Sequence, residues 1–277
     1  MQLQKVRVNK STTAAAFAFL ELVFDSIVRN VRLQNGNANL GLLLSVMQTL
    51  VLLALFAFLI VGLGLRTFAI RGDFIVYILT GIMLFMMHTR AVSSIMNATS
   101  ATSPLLLHTP MSTLIMIAGT ALSGLYMQLL AFAVILIAVH ILRGGLEFYD
   151  PGAMILPFFM AWASGIAVGM LFMGLRPFAP KFVPMLSTLY RRAQMITSGK
   201  MMPANYMSAG MVEWFDWNPL FHSIDQIRGA AFVNYVPRNS NIEYPIKFTI
   251  VALCIALMVE FWLRKNMSAS WGKRSML

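Results

Sequence analysis

Charged side chains are what this sequence has least of. They make up 11% of its 277 residues, where a soluble domain carries about 25%. That deficit excludes a water-solvated globule. The 58% of residues that are hydrophobic stand in long runs, and no soluble domain is left over once the runs are assigned. Acids are the scarcer sign, ten against 21 Lys and Arg, for a net charge of +11. They are scattered, with Glu213 and Asp216 a close pair, which argues against a membrane-embedded enzyme working through clustered carboxylates. Cysteine occurs once, as Cys254 inside an apolar run, so neither an intramolecular disulfide nor a cysteine metal site is available. His88, His108, His140 and His222 lie far apart, without metal-ligand spacing, and read as hydrogen-bonded structural residues. A phosphate-binding loop is also lacking: "TSGKMM" (197–202) has the Gly-Lys pair without the spaced first glycine or the hydroxyl residue. No cofactor is therefore expected on this chain, and any ATP and Mg would be bound by a partner.

What the sequence does have is apolar runs of bilayer length. A span needs roughly 20 apolar residues, and six segments meet or approach this, at about 40–64, 74–96, 112–141, 152–174, 181–202 and 246–263. The expectation is an all-α integral membrane protein with six transmembrane helices in a single domain over 1–277. Six crossings put both termini on one side. Lys5, Arg7, Lys10, Arg29 and Arg32 precede the first span, and Arg264, Lys265, Lys273 and Arg274 follow the last. The positive-inside rule places both ends in the cytoplasm. The basic residues flank spans instead of forming a patch with stacking aromatics, so no nucleic acid is expected.

Three stretches are neither spans nor ordinary loops. Residues 17–33, "FAFLELVFDSIVRNVRL", put Phe17, Leu20, Phe24, Ile27, Val28 and Val31 on one helical face opposite Glu21, Asp25, Arg29 and Arg32. This predicts an interfacial helix, or a surface helix packed on other protein. Glu21 and Asp25 also interrupt the apolar stretch too early for a signal peptide. Residues 97–108 hold Ser103, Pro104 and the cluster Leu105, Leu106, Leu107 on the cytoplasmic side. Exposed leucines there suggest docking to a soluble subunit, or a turn folded back on the bilayer. Finally, "MVEWFDWNPLFHSIDQIRGAAF" (211–232) is too polar to cross and too aromatic for a loop. Asn218 is suited to an N-cap and Pro219 to the first helical position. Leu220, Ile224, Ile227 and Ala231 then share a face, Asp225 and Arg228 form an i,i+3 pair on another, and Pro237 ends the segment. Two short helices joined at Asn218-Pro219 predict a re-entrant hairpin over 204–236.

With Trp217-Asn218-Pro219-Leu220 through Arg228 as its most specific part, this order of elements resembles ABC-2-type transporter permeases. The likeness is greatest to the branch exporting capsular polysaccharide or lipid-linked O-antigen, and it extends over nearly the whole chain. The resemblance implies a homodimer in the bacterial inner membrane, served by two copies of an ABC ATPase subunit. Periplasmic or outer-membrane export proteins would be further partners. It also implies that the 17–33 and 97–108 helices touch the ATPase, through Phe24, Arg29, Ser103, Leu105, Leu106 and Leu107. The hairpin would sit at the periplasmic end. Lys200, at its entrance, departs from the apolar residue expected there.

Arg191 and Arg192 fall inside the fifth span, where a charge costs about 2.5–3.5 kcal/mol and usually faces a bundle interior or water. They either line a conduit for an acidic substrate group or snorkel to the headgroups. Tyr190, Tyr206, Trp214, Trp217 and Phe221 offer ring faces to a sugar, or belong to an interfacial aromatic belt. An ABC-2 permease for a small drug or lipid is the alternative within the same fold.

Overall fold

The computed structural model describes residues 12–33, 38–62, 73–98 and 113–274. Among them the secondary structure is entirely helical. In chain order the helices are α1 (Thr12–Leu33), α2 (Ala38–Gly62), α3 (Phe74–Met96), α4 (Thr113–Arg143), α5 (Ile155–Leu175) and α6 (Phe182–Thr197). A 3-10 turn (Ala204–Tyr206) precedes α7 (Ala209–Phe215), α8 (Pro219–Ala231) and α9 (Glu243–Arg274). Stretches within α2 (Leu40–Leu59) and α9 (Glu243–Leu263), together with all of α3, α4 and α5, are long and apolar enough to cross a membrane. The chain is thus a helical membrane protein with five such helices among its described residues. The expected fifth span, 181–202, is occupied by α6, which has only 16 residues. At 1.5 Å per residue it is about 24 Å long, short of a hydrocarbon core of about 30 Å.

The helices differ sharply in what surrounds them. In the most apolar window of α3, 89% of residues are buried inside the protein, against 17% for α2. Helix α3 is therefore the axis of the bundle and α2 a peripheral helix. Around α3 stand α2, α4, α5, α6 and α8, while α9 packs on α5 and α8. Hydropathy cannot separate these roles, because lipid and protein interior are equally apolar.

Small residues decide how closely the axis is approached. Gly165 and Gly169 lie one turn apart on α5. A Cβ at Gly165 would come within 2.7 Å of the His88 carbonyl oxygen, and one at Gly169 within 2.9 Å of the Val92 carbonyl oxygen. The α3 and α5 backbones thus meet directly, as small-xxx-small spacing permits in lipid. The start of α3 is fixed by Asp73, whose carboxylate accepts from Ile75 N–H at 2.9 Å and lies 3.6 Å from the Arg143 guanidinium at the end of α4.

Helix α1 packs on α4. Val23 and Ser26 are buried, Asn30 donates to Thr120 at 3.3 Å, and a Cβ at Gly119 would collide with the Ser26 hydroxyl. The apolar residues Phe17, Leu20 and Phe24 point outward and are exposed. Helix α1 is thus held to protein by one face while another apolar face stays exposed.

Gly169→Val should lower the unfolding midpoint of the detergent-purified protein by the equivalent of about 1–3 kcal/mol of overpacking. Gly210→Val, where a Cβ meets nothing within 4 Å, is the matched control and should leave the midpoint near wild type.

Candidate functional site: a closed helical excursion

Between the end of α6 and the start of α9 the chain makes an excursion that begins and ends at the same place. Asn205 donates to the Val236 carbonyl at 2.7 Å and accepts from Arg238 N–H at 3.2 Å. Asn239 donates to the Ala204 carbonyl at 3.0 Å. Within this closed loop, α8 packs against α3, α5 and α9. Asn218 caps α8, accepting from Leu220 N–H at 3.0 Å, and Pro219 takes the first helical position. The helix stops at Ala231, ahead of Pro237, whose ring packs against Gly229. Its last carbonyls, Ala230 and Ala231, accept from the Asp150 and Tyr149 amides of the loop after α4, which meets the acceptor deficit of a helix end.

The predicted apolar face is buried: Leu220, Ile224, Ile227 and Ala231 all lie in the core. The predicted Asp225–Arg228 pair does not form. Both residues are buried, yet each takes its partners from residues outside the helix. Arg228 donates to the carbonyls of Gly199 at 2.8 Å, Lys200 at 2.6 Å and Met202 at 3.5 Å. Its guanidinium carbon lies 4.3 Å from the centre of the Tyr77 ring. The Asp225 carboxylate accepts from the Tyr235 hydroxyl, from Ser240 at 2.7 Å and from Ala204 N–H at 3.4 Å. Burial first, and then the nearby Asp225 carboxylate, push the Tyr235 phenol above its ordinary range, so it remains a protonated donor. A helix buried on all sides cannot leave two charges to each other on a wet face, and the flanking turns supply their partners.

Gly199 is required twice over. Its φ is +66°, and a Cβ there would sit 2.7 Å from the Phe221 ring. Lys200 is buried, with its side-chain nitrogen 3.2 Å from the centre of the Phe85 ring and 4.6 Å from that of Phe56. The rings receive the lysine head group where the resemblance leads one to expect an apolar residue, and its nitrogen has no hydrogen-bond partner among the described residues.

Of the conduit candidates, Trp214, Trp217 and Tyr206 are exposed around the excursion, and Arg192 is exposed on α6. Arg191 is half-buried and donates to Thr188 at 3.2 Å. Phe221 is enclosed, 1% exposed, against Phe215 and His222. The hydroxyl of Tyr190 lies 2.9 Å from His88 Nε2. Because His88 Nδ1 faces the Ala161 carbonyl at 3.1 Å, that nitrogen carries the proton and Nε2 accepts from Tyr190. Asn218 also donates to Gln194 at 2.6 Å and Thr197 at 3.0 Å on α6. On the ATPase-contact side, Phe24 is exposed and Arg29 points at the Met116 sulfur at 3.1 Å. Ser103, Leu105, Leu106 and Leu107 lie outside the described residues, as does most of the 97–108 segment.

Sequence reasoning missed Tyr77, Gln194 and Tyr235 as parts of this site. A usable signal existed for Gln194, a lone amide in an apolar segment. Tyr77 and Tyr235 gave none. Among the described residues no group of three His, Cys, Asp or Glu side chains is placed to hold a metal. No protein-family model matches the chain, and no curated protein matches it.

Arg228→Met leaves three carbonyls without their donor and should cost about 3 kcal/mol or more. It should be read as a lowered unfolding midpoint with faster proteolysis between 199 and 241. Asn218→Ala, which removes a cap and the tie to α6, should cost about 1–2 kcal/mol.

Proposed function

We propose that the chain is the permease subunit of an ATP-driven exporter, carrying capsular polysaccharide or a lipid-linked O-antigen-type glycan across a bacterial inner membrane. The observation that carries this reading is the closed excursion itself. A helix capped by Asn218 is held among apolar helices long enough to span, entering and leaving at one end, with Trp214, Trp217 and Tyr206 on its exposed side. On this reading the excursion is a re-entrant hairpin that shapes the outer mouth of a path, and its aromatic faces receive sugar rings. Non-helical backbone at such depth is tolerated only where protein or water surrounds it, and the bonds of Asp225 and Arg228 supply the protein.

In this scheme α6 with the 198–203 turn makes the sixth crossing, so both termini are cytoplasmic. Its exposed stripe of Phe182, Met185, Leu189 and Ile196, with Arg192 in the same row, faces a second copy of the chain across the conduit. The chain carries no nucleotide motif, and two copies of a separate ATPase, docked at α1 and the 97–108 segment, drive the cycle. Arg191 donates to Thr188 within its own helix, and on this reading the exposed Arg192 is the arginine that meets an acidic substrate group.

Arg192→Met should reduce surface glycan at least tenfold in cells that depend on this chain, at unchanged membrane level of the protein. Full export by Arg192→Lys would instead mean a side chain that only reaches the headgroups, since lysine snorkels equally well. Loss of export of a small lipid or drug, with glycan unaffected, would favour the alternative substrate class. Cysteines placed at positions 5 and 273 should both be protected from a membrane-impermeant thiol reagent added outside, and labelling of either would overturn the six-crossing scheme.

A further inference from the structure

Away from the excursion, a cavity of about 240 Å³ opens between α2, α3, α4 and α5, lined by Ser45, Arg90, Ser94, Met127, Gln128 and Trp162 among others. Gln128 is 2% exposed, and neither its amide nitrogen nor its amide oxygen has a hydrogen-bond partner. A buried amide left without partners marks a place where something else is expected to bind. Arg90 lines the same cavity from α3, donating to the Ser45 hydroxyl at 2.6 Å, to the Ser45 carbonyl at 3.3 Å and to Gln48 at 2.7 Å. These acceptors are all neutral. The ion pairs among the described residues are Arg143–Asp73, His222–Asp216 and Lys247–Glu243, so the Arg90 charge is uncompensated.

These two side chains define the occupant. An amide with both halves free calls for a group that donates and accepts, which is a hydroxyl. An unpaired guanidinium inside an apolar helix calls for an anion. Water would satisfy the amide and leave the charge. Depth agrees as well, because Arg90 lies six residues before Met96, the last residue of α3, or about 9 Å from that end, near the boundary of headgroups and acyl chains. Beside Gln48, the surface of α2 exposes Leu44, Met47 and Val51, a face on which acyl chains can lie.

We propose that this cavity is a binding site for a hydroxylated phosphodiester headgroup, with the phosphate at Arg90 and a hydroxyl at the Gln128 amide. Two sources share that chemistry: a membrane phosphoglycerolipid, and the glycosyl-phosphate end of a lipid-linked sugar. The site does not depend on the export reading, and its test reads binding alone.

The full-length protein, purified and delipidated in neutral detergent, is titrated with short-chain phosphatidylglycerol, short-chain phosphatidylcholine or a polyprenyl-phosphate glucose. Bound lipid is counted by native mass spectrometry and the unfolding midpoint is followed in parallel. Phosphatidylglycerol is expected to bind at one site and raise the midpoint, and phosphatidylcholine to do neither. Displacement of phosphatidylglycerol by the glycosyl phosphate would identify the sugar-linked source, and its failure to displace the membrane lipid. Gln128→Leu removes an unsatisfied amide, so it should fold at least as well as wild type while binding phosphatidylglycerol at least tenfold more weakly. Gln128→Met serves if the leucine does not fit, Arg90→Gln should lose the same tenfold, and Arg143→Gln should lose nothing. Equal binding of the two phospholipids, or a full phosphatidylglycerol response in the Gln128 variants, would mean a merely hydrated cavity and overturn the proposal.

Discussion

A guanidinium enclosed in an apolar bundle must find acceptors, and with the nearby Asp225 carboxylate taken by Tyr235, Ser240 and Ala204, Arg228 finds them in the turn carbonyls of Gly199, Lys200 and Met202. Much of the surrounding structure answers to that constraint. The turn has to offer its carbonyls in one direction, which the positive φ of Gly199 allows. Helix α3 has to make room, and Gly81 does so, since a Cβ there would lie 3.0 Å from the Arg228 side chain and 3.1 Å from the Lys200 carbonyl. The Tyr77 ring closes the remaining face. Removing a charge held this way is costly because its partners cannot recover water. The geometry therefore fixes α8 against the axis of the bundle.

A second polar chain holds the opposite flank. His88, on the buried axis, meets Ser164 of α5 at 3.1 Å and Tyr190 of α6. One turn further along α6, Gln194 meets the cap residue of α8. In a medium without water such bonds are directional where apolar contacts are not, so they specify which face of the short α6 turns inward. The remaining faces of α6 can then be apolar and exposed without ambiguity of register.

Much of the architecture was legible from residue pattern. Apolar run length located the five helices long enough to cross to within a few residues but read the 16-residue α6 as a sixth, and the Asn218-Pro219 pair marked the start of α8 because capping chemistry is local. What was not legible depended on distant neighbours. Apolar run length does not reveal that α3 is central and α2 peripheral. Spacing on a helix suggested that Asp225 and Arg228 would pair, but tertiary partners outside the helix outcompeted a contact three residues away. Lys200 looked out of place because the Phe85 and Phe56 rings that receive it come from other helices. The aromatic candidates divided for the same reason: Trp214 and Trp217 stay outside, while Phe221 is enclosed beside Gly199.

The junction of α1 with α4 has a mechanical consequence. Ser26 sits where Gly119 has no side chain, with Asn30 tied to Thr120 just beyond. Sliding one helix past the other would drive the serine into the bulkier neighbours of that glycine, so the two can only be displaced as a unit. Helix α4 has 31 residues and is about 46 Å long. A push delivered to α1 would therefore move a rod longer than the bilayer is thick, whose far end carries Arg143 and the loop that caps α8.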